Sequence, residues 1–243
     1  MSEREKGMNA YALVLAGGSG VRCGARIPKQ FLPVGGIPIV VRTLGRVLAC
    51  EAFTTIVVAV HPDWEGRLRT MLAEAKMGEP RIVVVEGGAS RNDSMRNAIA
   101  AIRGRGAADD DVVVVCDAVR PGVSVALLDS CVAGTREAGA CVATLPAVDT
   151  MLEVEDGVIV SVPPRERLFH GQTPCGARLS LLEHALGRDD LGTKITGTAQ
   201  LLVLDGVTVR TIPGSPENFK ITTPEDLLRA ERMLAPGPES KTA

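Results

Sequence analysis

The chain has 243 residues, 45% hydrophobic and 23% charged, with a formal net charge of −2. That balance suits a globular protein and gives no overall pull toward nucleic acid or an anionic membrane surface. With only 2% aromatic residues, stacking platforms for single-stranded nucleic acid are not expected. No apolar run approaches the roughly 20 residues of a membrane span, and residues 1–10 lack the apolar centre of a signal peptide. Six cysteines are scattered without a C-x-x-C pair, which fits reduced thiols in a cytoplasmic protein better than a disulfide frame or a zinc site. His61, His170 and His184 show no metal-ligand spacing.

In chain order, strands are expected at 12–15, 55–60, 81–85, 112–116 and 140–145. These runs are short, rich in Val, Ile and Ala, and apolar on both faces, as in a parallel sheet buried between helices. Helix patterns fall between them at 37–50, 64–76, 91–103 and 123–138. The alternation predicts a doubly wound, mostly parallel α/β sheet. Residues 148–172 break the rhythm with two short β-like runs about Asp156-Gly157, a hairpin turn signal. A projecting arm spanning about 146–172 is expected there. Helices near 179–186 and 198–203, a strand at 207–211 and a last helix at 224–234 complete one predicted domain over 10–235. The segments 1–9 and 236–243 read as flexible tails.

Ligands of open α/β sheets bind beyond the carboxyl ends of the strands, and the chemistry-bearing stretches gather at those positions. "LAGGSGVRCGARIPKQF" follows the first strand. Its glycines let backbone N–H groups approach an anion, and Arg22, Arg26 and Lys29 add positive charge. The spacing is neither that of a Walker loop nor of a dinucleotide fingerprint. "EGGASRNDS" offers Gly87, Gly88 and Ser94, or more plainly a helix cap at Ser90 or Asn92. "CDAVRP" sets Asp117 at a strand end, suited to Mg²⁺ or to an ordinary turn. Arg165 and Arg167 lie on the arm, and Lys220 precedes a helix start at Thr223-Pro224. Taken together, one carboxylate and several cations at one sheet edge have the layout of a phosphoryl or nucleotidyl transfer site.

The ordered set "AGGSGVRCGARIPKQF", "EGGASRNDS", "DAVRP", "VDT", "RERLFHGQTP" and "NFKITTPEDL" resembles the cytidylyltransferases that activate sugar-alcohol phosphates, a group including the 2-C-methyl-D-erythritol 4-phosphate and D-ribitol-5-phosphate enzymes. The likeness runs from about residue 11 to 234. "KQFLPVGGIPIVV", Arg91-Asn92, Val119 and "GQTP" look closer to the ribitol-phosphate branch. The resemblance implies a nucleotide-diphospho-sugar transferase fold and transfer of CMP from CTP to a polyol phosphate, with D-ribitol 5-phosphate as the first expectation. It implies that Ala16, Gly17, Gly18 and Ser19 contact the nucleotide, that Gly87, Gly88 and Ser94 hold its base and ribose, and that Asp117 binds Mg²⁺. Arg22, Lys29 and Lys220 would stabilise charge on the phosphates. Ala118, Arg120, Thr173 and Thr196 would join the substrate-binding set. Arg165 would bind the acceptor phosphate in the partner site of a homodimer with exchanged arms.

Four positions depart from that pattern: Cys116 stands before the motif aspartate where His is usual, Cys23 where Met is usual, and Ala89 where an acidic residue is usual. Gly197 replaces the aspartate of a Thr-Asp pair. The last change bears on the acceptor, so methylerythritol phosphate, another polyol phosphate or a phosphonate stands beside ribitol phosphate.

Overall fold

The computed structural model describes residues 7–18, 27–188 and 195–234. In chain order it contains β1 (Ala10–Ala16), a 3₁₀ turn at Lys29–Phe31, β2 (Pro33–Val34), β3 (Ile37–Pro38), α1 (Ile39–Leu48), β4 (Phe53–Val60), α2 (Pro62–Glu74), β5 (Ile82–Glu86), α3 (Arg91–Arg103), β6 (Val112–Asp117), α4 (Val125–Ala138) and β7 (Ala140–Pro146). A hairpin of β8 (Glu153–Glu155) and β9 (Val158–Ser161) follows, then a 3₁₀ turn at Arg165–Arg167, β10 (Phe169–Arg178), α5 (Leu179–Gly187), α6 (Thr198–Leu204), β11 (Arg210–Pro213) and α7 (Pro224–Leu234). Among the described residues, no helix is long and apolar enough to cross a membrane.

The central sheet has seven strands in the order β11-β7-β10-β6-β1-β4-β5. Strand β10 runs antiparallel to both of its neighbours, and the remaining pairings are parallel. The mostly parallel doubly wound sheet expected from the sequence is therefore present. Alternation along β1 shows why its strands are apolar on both faces. Ala10, Ala12, Val14 and Ala16 enter a core with α1, α2 and α4. Tyr11 and Leu13 enter a second core with α3, α5 and α6. Fully burying one such aliphatic side chain contributes roughly 1.5–3 kcal/mol, so both layers hold the sheet edge rigid beneath the site.

The boundaries differ from expectation where local pairing wins. The helix expected at 37–50 starts at Ile39, because Ile37 and Pro38 pair with Val34 and Pro33. The last strand begins at Arg210 rather than 207, since Val207 and Val209 pack on the second core before the pairing with β7 starts. Sequence patterning misses β10. Its "FHGQTPCGAR" carries two glycines and a proline and shows no clean alternation. Gly176 is needed there because a Cβ would lie 2.0 Å from Thr135 Oγ1 of α4. The expected arm is shortened accordingly, with β7 reaching Pro146 and β10 starting at Phe169. Its hairpin turn is as the sequence suggests: Asp156 and Gly157 both have positive φ, 48° and 81°, which matches the right-handed twist of a two-residue connection.

Candidate active site

A cleft of about 620 Å³ opens at the carboxyl ends of the central strands. Ala16, Gly17, Gly18, Lys29, Gly88, Ser94, Asp117 and Lys220 line it, alongside Gln30, Ser90, Arg91 and Thr222, which sequence reasoning did not assign. Residues from 16 to 220 thus meet because β1, β5, β6 and the segment before α7 end at one edge of the sheet.

Backbone fixes the glycine side. Gln30 Nε2 donates to the carbonyls of Ala16 and Gly18 at 2.7 and 2.8 Å, tying the turn after β1 to the Lys29–Phe31 helix. The signal was the Gln beside Lys29, an amide able to bridge two carbonyls. Gly87 N–H donates to Val60 O at 2.6 Å, and Gly88 N–H to Ser94 Oγ at 3.0 Å. A Cβ on Gly88 would lie 2.2 Å from Asp93 Cβ, and one on Gly87 only 3.2 Å from Ser94 Oγ. At Gly88 the wall is therefore backbone because no side chain fits. Ser90 and Asp93 form a reciprocal capping box at the start of α3, so the cap and the pocket are one structure.

Asp117, at the end of β6, is the charged centre. Its Oδ2 lies 3.2 Å from Lys220 Nζ and 3.2 Å from Arg120 Nε. Burial pushes this carboxyl up, but the positive charges of Lys220, Arg120 and Arg91 outweigh it and hold the group below its ordinary range. Asp117 Oδ1 makes no hydrogen bond among the described residues. The Asp117 N–H donates to Thr173 Oγ1 at 3.1 Å. Arg120 is buried behind Asp117, its Nη1 donating to Asn218 O at 2.6 Å. Asn218, wholly buried, donates to Gln172 Oε1 and Thr173 O. This clamp ties the Lys220 segment to β10 and was not read from the sequence. Its only trace there is the Asn two residues before Lys220.

The remaining expected residues fall elsewhere. Ala118 is buried and acts through its backbone, donating to Leu15 O and accepting from Thr43 Oγ1. Arg120 supports Asp117 from behind and is not on the cleft wall. Thr196 is exposed, its N–H and hydroxyl both directed to Gln200 Oε1. Arg165 sits on the arm with Nη1 on Val148 O and does not line this cleft. Ser19 and Arg22 lie outside the described residues. Burial pushes the Cys116 thiol, next to Asp117, far up, so it behaves as a neutral packing group.

Comparison with known proteins gives a consistent result. The family model described as IspD: 2-C-methyl-D-erythritol 4-phosphate cytidylyltransferase matches residues 10–236. The chain is 35% identical over 230 residues to the 2-C-methyl-D-erythritol 4-phosphate cytidylyltransferase of Acidobacterium capsulatum, covering 90% of this chain and 95% of that one. It superposes on the Francisella tularensis enzyme of the same description with a TM-score of 0.78 at 31% identity, covering 93% of this chain and all (100%) of the other. The 4-diphosphocytidyl-2C-methyl-D-erythritol synthase of Anaerococcus prevotii, at 24% identity and a TM-score of 0.79, covers 96% of this chain and 99% of its own, and shares the fold.

Proposed function

We propose that this chain, which belongs to the 2-C-methyl-D-erythritol 4-phosphate cytidylyltransferase family and is therefore a CTP-dependent nucleotidyltransferase, uses 2-C-methyl-D-erythritol 4-phosphate as its acceptor. The observation that carries the proposal is the family match over nearly the whole chain together with the cleft centred on Asp117 and Lys220. The comparisons favour this acceptor over D-ribitol 5-phosphate, and the details leaning toward the ribitol branch give way. Val119 and Arg91, two of those details, both line the cleft.

In the proposed reaction an oxygen of the acceptor phosphate attacks the α-phosphorus of CTP. The bond between that phosphorus and the α–β bridging oxygen breaks, and pyrophosphate leaves with its electron pair. The nucleophile is already an anion, so positioning and electrostatics carry the catalysis. Gly17 and Gly18 offer backbone to the phosphates, while Gly87, Gly88 and Ser94 form a wall shaped for a pyrimidine. Lys29, Lys220 and, from outside the described residues, Arg22 would meet charge that grows as the bond breaks.

Asp117 has the chemistry of a Mg²⁺ ligand: a cleft carboxylate with an unengaged Oδ1. Among the described residues no group of three or more His, Cys, Asp or Glu could hold a metal alone. That suits an ion shared with nucleotide phosphates through one carboxylate. Asp117 would hold the ion, which would supply positive charge to offset that of the phosphates.

A homodimer with exchanged arms supplies the acceptor-phosphate site in this reading. Among the described residues Arg165 does not line its own cleft, and the arm carries apolar residues left exposed there: Val148 is 79% exposed and Val158 64%. A lone two-stranded hairpin is marginal in water, so a second copy is its natural support.

Incubation with Mg²⁺, one nucleoside triphosphate and one polyol phosphate tests the function through pyrophosphate release and identification of the product by mass. CTP with methylerythritol phosphate is expected to give the highest kcat/KM. A higher value with ribitol 5-phosphate, or equal turnover with a purine triphosphate, would overturn the acceptor or the nucleotide assignment respectively.

A further inference from the structure

Arg91, the first residue of α3, is a cation in the cleft that the reaction as described does not use. Its guanidinium is partly buried, and burial pulls it below its ordinary value despite the favourable charge of Asp117. A cation removed from water is costly unless paired. Yet no carboxylate bonds Arg91 among the described residues. Nη2 donates to Thr198 Oγ1 at 2.9 Å and Nη1 contacts the thioether of Met95 at 3.5 Å. Nε makes no hydrogen bond there, and much of the planar donor edge is unspent.

Its location says which ligand that edge would meet. Thr198 opens α6, directly after Thr196 and Gly197. Asp117, at the end of β6, is the carboxylate whose charge bears on Arg91. Strand β10 lies beside β6 on the side away from β1, whose end leads into Gly17 and Gly18. Its bond to Thr198 therefore carries Arg91 from the base-binding wall to the α6 side of the cleft. In the reaction proposed above, the nucleotide phosphates would be met by the glycine turn and Lys29, which also line the cleft.

We infer that Arg91 is a substrate-contacting, specificity-determining residue that donates hydrogen bonds to the hydroxyl oxygens of the acceptor's polyol chain. A flat fork of N–H donors can meet two neighbouring hydroxyl oxygens at once, which a lysine cannot reproduce. The position after Thr196 is Gly197, which brings no side-chain carboxylate to compete for that fork. The inference rests on the transferase reading proposed above and adds to it the contact that holds the polyol.

The experiment measures KM for acceptor and for CTP separately in the wild type and in Arg91→Met, Arg91→Lys and Thr198→Val. A hydrogen bond from a charged group contributes about 1.5–3 kcal/mol, so Arg91→Met is expected to raise the acceptor KM roughly tenfold to a hundredfold, with the CTP KM at its wild-type value. Arg91→Lys keeps the charge and the stem, so it guards against misfolding, and it should still raise the acceptor KM. Thr198→Val removes the internal bond but leaves the fork in place, and should keep both KM values near wild type. An unchanged acceptor KM in both Arg91 variants overturns the inference. So does an equal rise in CTP KM, which would put Arg91 in the nucleotide pocket. If Thr198→Val reproduces the Arg91→Met pattern, Arg91 is a strut and the inference fails. Wild-type turnover of methylerythritol phosphate tests the underlying reading on its own. If the wild type prefers another polyol phosphate, the same variants are compared with that acceptor.

Discussion

Around Asp117 the chain closes its own polar network, whereas on the arm it leaves Val148, Leu152, Val154, Val158, Ile159, Val160 and Val162 to solvent. At the cleft, one carboxylate is held by two cations, its backbone by Thr173, and one of those cations by Asn218. The arm has a two-stranded ladder of its own and a single guanidinium resting on a carbonyl. The first region needs no second chain to be ordered. The second presents apolar surface that stays exposed among the described residues, with Arg165 bonded only to an arm carbonyl there. The proposed dimer, with an acceptor clamp lent by a second subunit, would account for this difference.

The largest expected effect breaks the cleft side. Asp117→Ala leaves Lys220 and Arg120 facing each other without their common counter-charge. Loss of one preorganised electrostatic group typically lowers turnover about 10²–10³-fold, and steady-state kcat is expected to fall at least that far. Lys29→Ala should lower kcat in the same range while CTP affinity, read by calorimetry, changes far less, because charge grows on the phosphates only as the bond breaks. A normal kcat with a raised KM would assign Lys29 to ground-state binding.

A substitution on the arm sharpens the other side. Val158→Asp puts a charge on an exposed apolar strand that the isolated chain can solvate. Sedimentation should shift from two copies to one, and acceptor turnover should fall with it while CTP binding survives. A dimer that persists with full activity would remove the arm from the assembly.

The smallest effect concerns the anchor of the Lys220 segment. Asp226 Oδ2 accepts from the N–H and hydroxyl of Thr222 and from the N–H of Thr223, and the Asp226 N–H donates to Thr223 Oγ1. Burial pushes the Asp226 carboxyl up, and those hydrogen bonds outweigh it and leave the group below its ordinary value. A lowered folded-state value means stability that is present above the unfolded value of about 3.9 and lost as pH falls through the folded one. Asp226→Asn should cost about 1 kcal/mol at pH 7 and little or nothing in strong acid. Thermal melts across pH 2–7 check this, and a deficit that grows toward low pH would contradict it.

Much of this was legible in the sequence, for physical reasons that also mark where it stopped. The strands β1, β4 and β6 are apolar on both faces because helices cover both, so periodicity and burial agree. Asp117, Lys220 and the glycine turns follow strand ends, where an α/β sheet must place its ligands. Strand β10 escaped because packing against Thr135 demands Gly176 and its register breaks between Gly171 and Cys175. The clamp of Gln172, Asn218 and Arg120 escaped because it joins residues up to 98 positions apart, a separation no local pattern encodes. Arg91 was noticed only as a detail of one family branch. Its reach to Thr198 spans 107 positions and appears only in three dimensions.

Mixing Arg165→Ala with Asp117→Ala, each inactive as a homodimer, tests most directly whether the arm of one subunit completes the cleft of the other. With exchanged arms, a mixed dimer gathers both lesions in one site and leaves the second site intact. At random reassortment half of the dimers are mixed and each has one good site, so activity after subunit exchange should rise to about a quarter of wild type. Activity that stays at background after exchange has been demonstrated by mass spectrometry would mean that each chain uses its own Arg165, contradicting the crossover.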